Sequence, residues 1–132
     1  MTKNSFYLIQ QDLQFHAKNP LNFGLPQNLD FISNEHNPSC GDSVIVGGKI
    51  NSNETLKELF FQGSGCVVSM AMASKLTKVV VNMNFLEILK LDELFVEQLL
   101  GLQLGPNRLK CGLLSIIALQ KGIALYQNRL KI

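Results

Sequence analysis

Apolar residues recur at spacings of three and four near the start of the chain, where Phe6, Ile9, Leu13 and Ala17 fall on one face. That spacing predicts an amphipathic helix over residues 4–18. It stops at Asn19-Pro20, because the residue before a proline is pushed out of the helical region. His16 falls near the same face and is read as a structural or surface residue. Residues 20–28 (PLNFGLPQN) carry two Pro and one Gly and predict a connector. Short β-compatible runs follow. They are Leu29–Ile32, then a turn over 34–42, then SVIVGGKI (Ser43–Ile50) and, after the polar turn NSNE, TLKELFFQ (Thr55–Gln62). Two such runs joined by a polar turn predict an antiparallel hairpin. Gly47-Gly48 in its first strand predicts a weakened middle or a bulge.

From Cys66 onward the period changes. VVSMAMASKLT places Val67, Met70, Ala71 and Ser74 at helical spacing and is entered through Gly63-Ser64-Gly65. Residues 84–104 are Leu-rich and helical, with Asp92 as the N-cap of their second half and Gly101 near their end. Gly105-Pro106-Asn107 breaks the chain. A last helix over about 108–127 then buries Leu109, Leu113, Ile116, Ile117 and Ala124. Strands first and helices afterwards, without alternation, predict an α+β fold with helices on one face of a small antiparallel sheet. No repeat or second domain is visible, so residues 1–132 are expected to form one domain.

Composition narrows the function. Of 132 residues, 46% are apolar, 17% charged and 8% aromatic, enough for a packed core and too apolar for a disordered tail. A net charge of +2 lacks the basic clustering of a nucleic-acid binder. No apolar run approaches the ~20 residues that span a bilayer, and the greasiest stretch, Gly112 to Leu119, is interrupted by Ser115. The start, MTKNSFYLIQQDLQF, has no signal-peptide apolar block. A cytoplasmic protein with neither nucleic-acid nor membrane partner is the expectation.

The three cysteines change the picture. Their odd number and ordinary density exclude a secreted disulfide framework and point to free thiols in a reducing compartment. Free cysteines are ordinarily small buried hydrophobes, but each of these lies where the chain turns. Cys40 is inside NPSCGD (Asn37 to Asp42), Cys66 follows Gly65, and Cys111 follows Arg108-Leu109-Lys110 at the start of the last helix. A helix N-terminus favours thiolate, and Lys110 and Arg108 push the same way. Asp42, two residues after Cys40, can point to the same side of an extended loop. Three thiolates and one carboxylate can complete a tetrahedral Zn²⁺ site or share the irons of a small iron–sulfur cluster. No C-x2-C knuckle is present, and spacings of 26 and 45 residues need the whole fold to gather the donors. One donor is a hard oxygen, a poor match for soft sulfur, so the site suits exchange of what it holds. A Cys40–His36 hydrolase pair is a competing reading without an oxyanion motif or an orienting partner for His36. A purely structural zinc domain competes less well, since this core is large enough to fold unaided.

NPSCGD, GSGCVVSMAMASKLT and RLKC, in that order, resemble the cysteine motifs of the U-type iron–sulfur assembly scaffolds: IscU, SufU and the N-terminal domain of NifU. FHAKNPLNFG resembles the end of that family's first helix and its connector, so the resemblance covers nearly the whole chain. It implies a compact α+β domain with a three-stranded antiparallel sheet and helices packed on it. It also implies that Cys40, Asp42, Cys66 and Cys111 bind metal, and that sulfur arrives from a cysteine desulfurase of the SufS, IscS or NifS type. The resemblance further implies that a [2Fe–2S] cluster is assembled and passed to apo iron–sulfur proteins, as many members of the family do. Lys110 stands where Isc-type members have His, as in SufU, and would offset the site's negative charge or be simply solvated. The gap between Cys66 and Cys111 is too short for the SufU insertion, and GPNRLK replaces the LPPVK by which Isc-type scaffolds meet their chaperone. Two readings follow: a scaffold for a transient cluster, or a zinc-dependent persulfide acceptor that stimulates the desulfurase without holding a cluster. Cys40, on the most turn-rich loop, is the expected persulfide acceptor, with Cys111 as the alternative. No conventional catalytic site is evident, so scaffold and sulfur-transfer enzyme both stand.

Overall fold

Burial with a period of two organises residues 31–64. In the computed structural model, which describes residues 3–130, three strands pair antiparallel in chain order. They are β1 (Phe31–Asn37), β2 (Asp42–Ile50) and β3 (Leu56–Ser64). Phe31, Ser33, Val44, Val46, Leu59 and Phe61 are buried on one face. The register lines them up in rows, Ser33 beside Val46 beside Phe61 and Phe31 beside Gly48 beside Leu59. The expected three-stranded sheet in an α+β chain is present.

β1 outruns its sequence signal. The turn expected over 34–42 shrinks to residues 38–41, because Glu35 pairs with Val44 and His36 with Ser43. Ladder hydrogen bonds offset the turn preference of the Asn residues here. The bulge expected at Gly47-Gly48 falls instead between Lys49 and Ile50. The two glycines make room for neighbours. A Cβ on Gly47 would lie 2.4 Å from Leu29 Cδ1, and one on Gly48 2.5 Å from Phe31 Cζ. The connector also closes the outer edge of β3. Gly24 N donates to Phe61 O at 2.7 Å, Phe61 N donates to Asn22 O at 3.1 Å, and the Phe23 ring meets Phe61 edge-on.

The helices are α1 (Lys3–Lys18), α2 (Val67–Val79), α3 (Phe85–Leu89), α4 (Glu93–Leu100) and α5 (Pro106–Leu130). α5 lies across β1 and β2, α2 packs on β3 and α5, and α1 packs on α2. The Leu-rich stretch expected as one helical region divides in two. Asn84 caps α3 reciprocally with Glu87, Asp92 Oδ1 accepts from Phe95 N to start α4, and Gly101 ends it. α5 starts at Pro106, two residues earlier than expected, since proline has no N–H to lose in a first helical turn. Ala124 is exposed, and Gly122 and Ile123 take the buried side instead. His16 is structural, as expected: its Nδ1 lies 2.9 Å from Ser74 Oγ, and that hydroxyl oxygen accepts from Leu21 N. By length and composition α5 would pass for a membrane span, contrary to the reading of uninterrupted runs. Half of that window is buried against the protein's own sheet and helices, the pattern of a core helix.

Phe31 seats α5 on the sheet. Its ring lies between Gly48 of β2 and Gly122 of α5, where an added Cβ would approach ring atoms to 2.5 Å and 2.4 Å. Gly122→Ala would gain about 1 kcal/mol of helix propensity, but overpacking a closed core costs about 1–3 kcal/mol. Phe31 cannot yield, because Gly48 already touches its far side. Gly122→Ala is therefore expected to lower the urea midpoint of unfolding, and an unchanged or raised midpoint would contradict this packing.

Candidate metal centre

Asp42 opens β2 with its side chain on the buried face, 5% exposed. Its Oδ2 accepts from the Ser69 hydroxyl at 3.0 Å and from Cys66 N at 3.3 Å. Cys66 is the N-cap of α2 (φ −73°, ψ 171°), but its side chain makes no capping hydrogen bond. Its Sγ lies 3.7 Å from Ser69 Oγ. Cys40 stands exposed on the turn between β1 and β2, while Cys111 projects from α5 into the core, 6% exposed. The two Sγ atoms are 3.5 Å apart.

Thus three distant segments converge. Cys40 Sγ, Cys111 Sγ and an Asp42 carboxylate oxygen all lie within 4.8 Å of one another. Metal–sulfur bonds of ~2.3 Å in a tetrahedron give sulfur–sulfur edges near ~3.8 Å, so the cysteine pair has the right separation. Cys66 falls outside this three-atom set, yet its thiol interacts with both Asp42 and Cys111. The donors are one hard oxygen and soft sulfurs, a set that fits Zn²⁺ or iron.

Burial opposes the charge on Asp42, but hydrogen bonds from Cys66, Ser69 and Cys111 outweigh it and hold the carboxyl below its ordinary value. Cys111 goes the other way. Burial pushes its thiol up, and the neighbouring Cys40, Cys66 and Asp42 add to the rise. The sequence places Cys111 where a helix N-terminus would favour thiolate. In the structure it is the sixth residue of α5, beyond the unpaired N–H groups of the first turn. A bound cation would supply the missing positive charge and release the proton.

The other expected residues separate from this cluster. Lys110 is exposed and lines a different, shallow cavity with Glu93, Leu104, Pro106, Leu109 and Leu113. Arg108 shares with Cys66 the wall of a cavity of about 500 Å³ that also reaches Phe6, Leu13 and Leu104. His36 is exposed in β1. Its N–H donates to Glu35 Oε1, and no hydrogen bond among the described residues joins its ring to Cys40. Sequence reasoning missed Ser69 and Gly65. Ser69 touches Asp42 directly, and a Cβ on Gly65 would lie 2.8 Å from Asp42 Cγ and 2.5 Å from Ser69 Oγ. The available signal was a serine three residues after the N-cap cysteine, behind a glycine.

Comparison with known proteins adds a family. Residues 9–132 match the family model of the NifU-like N terminal domain. The zinc-dependent sulfurtransferase SufU of Bacillus subtilis (strain 168) is 31% identical over 134 residues, covering 89% of this chain and 90% of that protein. The iron-sulfur cluster assembly scaffold protein IscU of Streptococcus pyogenes serotype M1 is 28% identical over 116 residues, 88% of this chain and 69% of that one. The crystal structure of the N-terminal part of a NifU-like protein from Brucella abortus superposes with a TM-score of 0.70. It has 17% identity and covers 90% of this chain and 93% of that one, which shows the shared fold.

The lowered pKa of Asp42 carries a sign for stability. Its ionised form stabilises the fold above the ordinary carboxyl value of 3.8, and that contribution disappears as pH falls through the depressed value. In metal-free protein, Asp42→Asn is expected to lower stability by a constant amount at neutral pH, with the deficit shrinking below about pH 4. Urea unfolding across this range measures it, and a deficit that stayed flat into acid would contradict the assignment.

Proposed function

The chain belongs to the family of NifU-like N-terminal domains, and from that premise we propose that it assembles iron–sulfur clusters. As a single domain over residues 1–132, it would take sulfur from a cysteine desulfurase and hold a transient [2Fe–2S] cluster for delivery to apo-proteins. The observation that carries this reading is the meeting of Cys40, Asp42 and Cys111, with Cys66 alongside, at one end of the sheet. Its free thiols suit a reducing compartment such as the cytoplasm.

Each residue has a distinct task. Cys40, exposed on its turn, attacks the terminal sulfur of the desulfurase persulfide as a thiolate. A sulfur–sulfur bond forms on Cys40, the donor's own sulfur–sulfur bond breaks, and the donor cysteine leaves as thiolate. Cys111, 3.5 Å from Cys40 and buried, is the alternative acceptor, reached from the side of Cys40. The three thiols hold iron, and Asp42 offers the harder, weaker contact that eases release. Lys110, exposed in its separate cavity, is assigned no step.

The likeness to SufU over most of both chains favours a second reading, a zinc-dependent sulfur acceptor. Zinc, when bound, supplies a Lewis-acid centre that keeps the thiols deprotonated. Cys40 remains the nucleophile in that version, since it is the exposed member of the close pair.

Anaerobic incubation with desulfurase, cysteine and ferrous iron distinguishes the two. A scaffold develops visible charge-transfer bands, absent from the Cys40→Ser, Cys66→Ser and Cys111→Ser variants. Asp42→Ala should then slow transfer to an apo-protein about 10-fold, the scale expected for altered ligation. A colourless protein with stoichiometric zinc and added sulfur on Cys40, located by mass spectrometry, supports the second reading. Neither bands, nor zinc, nor added sulfur would refute both.

A further inference from the structure

Ser69 has no part in the reading above, yet it is 1% exposed and touches the candidate ligands. Its hydroxyl carries one proton and has three neighbours: Asp42 Oδ2 at 3.0 Å, Cys66 O at 3.1 Å and Cys66 Sγ at 3.7 Å. A hydrogen bond to an ionised acceptor is about twice as strong as one between neutral groups, so the proton goes to the carboxylate. Cys66 N–H reaches the same oxygen at 3.3 Å. The N–H and O–H donors therefore both fall on Oδ2, while the Cys66 and Cys111 thiols that also hydrogen-bond this carboxylate would give up their protons on binding metal. The fold also keeps this place clear. Any side chain at Gly65 would bring its Cβ within 2.5 Å of Ser69 Oγ and 2.8 Å of Asp42 Cγ.

We propose that Ser69 is a positioning residue, which fixes the Asp42 carboxylate through one oxygen so that only the other is offered to a metal. The inference rests on the site being a metal centre, as proposed above. α2 supplies the two fixed donors from a single turn: the backbone N–H at its N-cap and the hydroxyl three residues on. Together they orient a short side chain that β2 delivers from the opposite side. Ser69 acts through Asp42 and needs no contact with the metal. Its removal frees the carboxylate to rotate and, with the thiols deprotonated on a metal, leaves the N–H of Cys66 as the remaining fixed donor.

Binding of metal alone, without desulfurase, tests this. Zinc affinity is measured by competition with a chromophoric chelator, and ligand geometry by the visible bands of the Co²⁺-substituted protein. Ser69→Ala is expected to weaken zinc about 10-fold, the usual effect of losing a group that orients a ligand. It should also shift the cobalt bands. In an Asp42→Ala background the same Ser69→Ala change is expected to add nothing, since the two residues act as one unit. Wild-type affinity and spectrum in Ser69→Ala would overturn this inference alone. An equal loss in the Asp42→Ala background would also overturn it, by showing an effect through helix packing. A wild-type chain that took up neither metal would overturn the metal-centre reading, and this inference with it.

Discussion

The position of α5 on the sheet is the constraint from which the rest of the structure follows. Phe31 in β1 fills the space between Gly48 of β2 and Gly122 of α5, so the helix can approach no closer and has no void to slide into. Gly112, farther toward the N-terminus of α5, plays a similar part against Val96 and Val68. With the helix seated, Cys111 is carried to the end of the sheet where the β1–β2 turn presents Cys40. The same packing that forms the core sets the distance between two sulfurs 71 residues apart in sequence.

A second tie, electrostatic rather than apolar, completes that end of the molecule. Asp42 is buried, a position that costs an ionised carboxylate its hydration. The start of α2 replaces the lost water with an N–H and a hydroxyl. Burial is compensated at Asp42 but uncompensated at Cys111, whose thiol is driven toward its neutral form. The metal-free site therefore combines one stabilised anion with a sulfur that keeps its proton. That asymmetry suits a centre whose cargo comes and goes, because the empty state carries less repulsion than several bare thiolates would.

Much of this was legible locally. Capping signals at Asp92 and Gly101 gave the limits of α4, and the periodicity of Phe6, Ile9, Leu13 and Ala17 gave α1. The cysteine motifs, each at a turn, pointed to residues that the fold brings near one another, with Cys40, Asp42 and Cys111 within 4.8 Å. What escaped depends on contacts distant in sequence. β1 continues through Asn34 and Asn37 because β2 is there to pair with it, and no window of residues contains that information. The expected charge state of Cys111 was wrong for the same reason, since burial and the neighbouring Cys40, Cys66 and Asp42, all distant in sequence, push its thiol up. Ser69 looked like one more small residue in a small-residue helix. Only the folded chain shows that it faces a carboxylate 27 positions earlier.

A three-stranded sheet has two flanks, and here they are unequal. The connector covers β3 at Phe61, where Asn22 and Gly24 pair with it and the Phe23 ring covers the joint. Growth of the sheet by an extended peptide, whether from a misfolded neighbour or from another protein, would have to displace that segment on one flank. The remaining flank is β1, overlooked by Lys121 and Arg129 of α5, which engage Glu35 and the Asp30 carbonyl. Charge at an exposed strand discourages fibrillar stacking, so each side of the sheet carries its own guard against polymerisation.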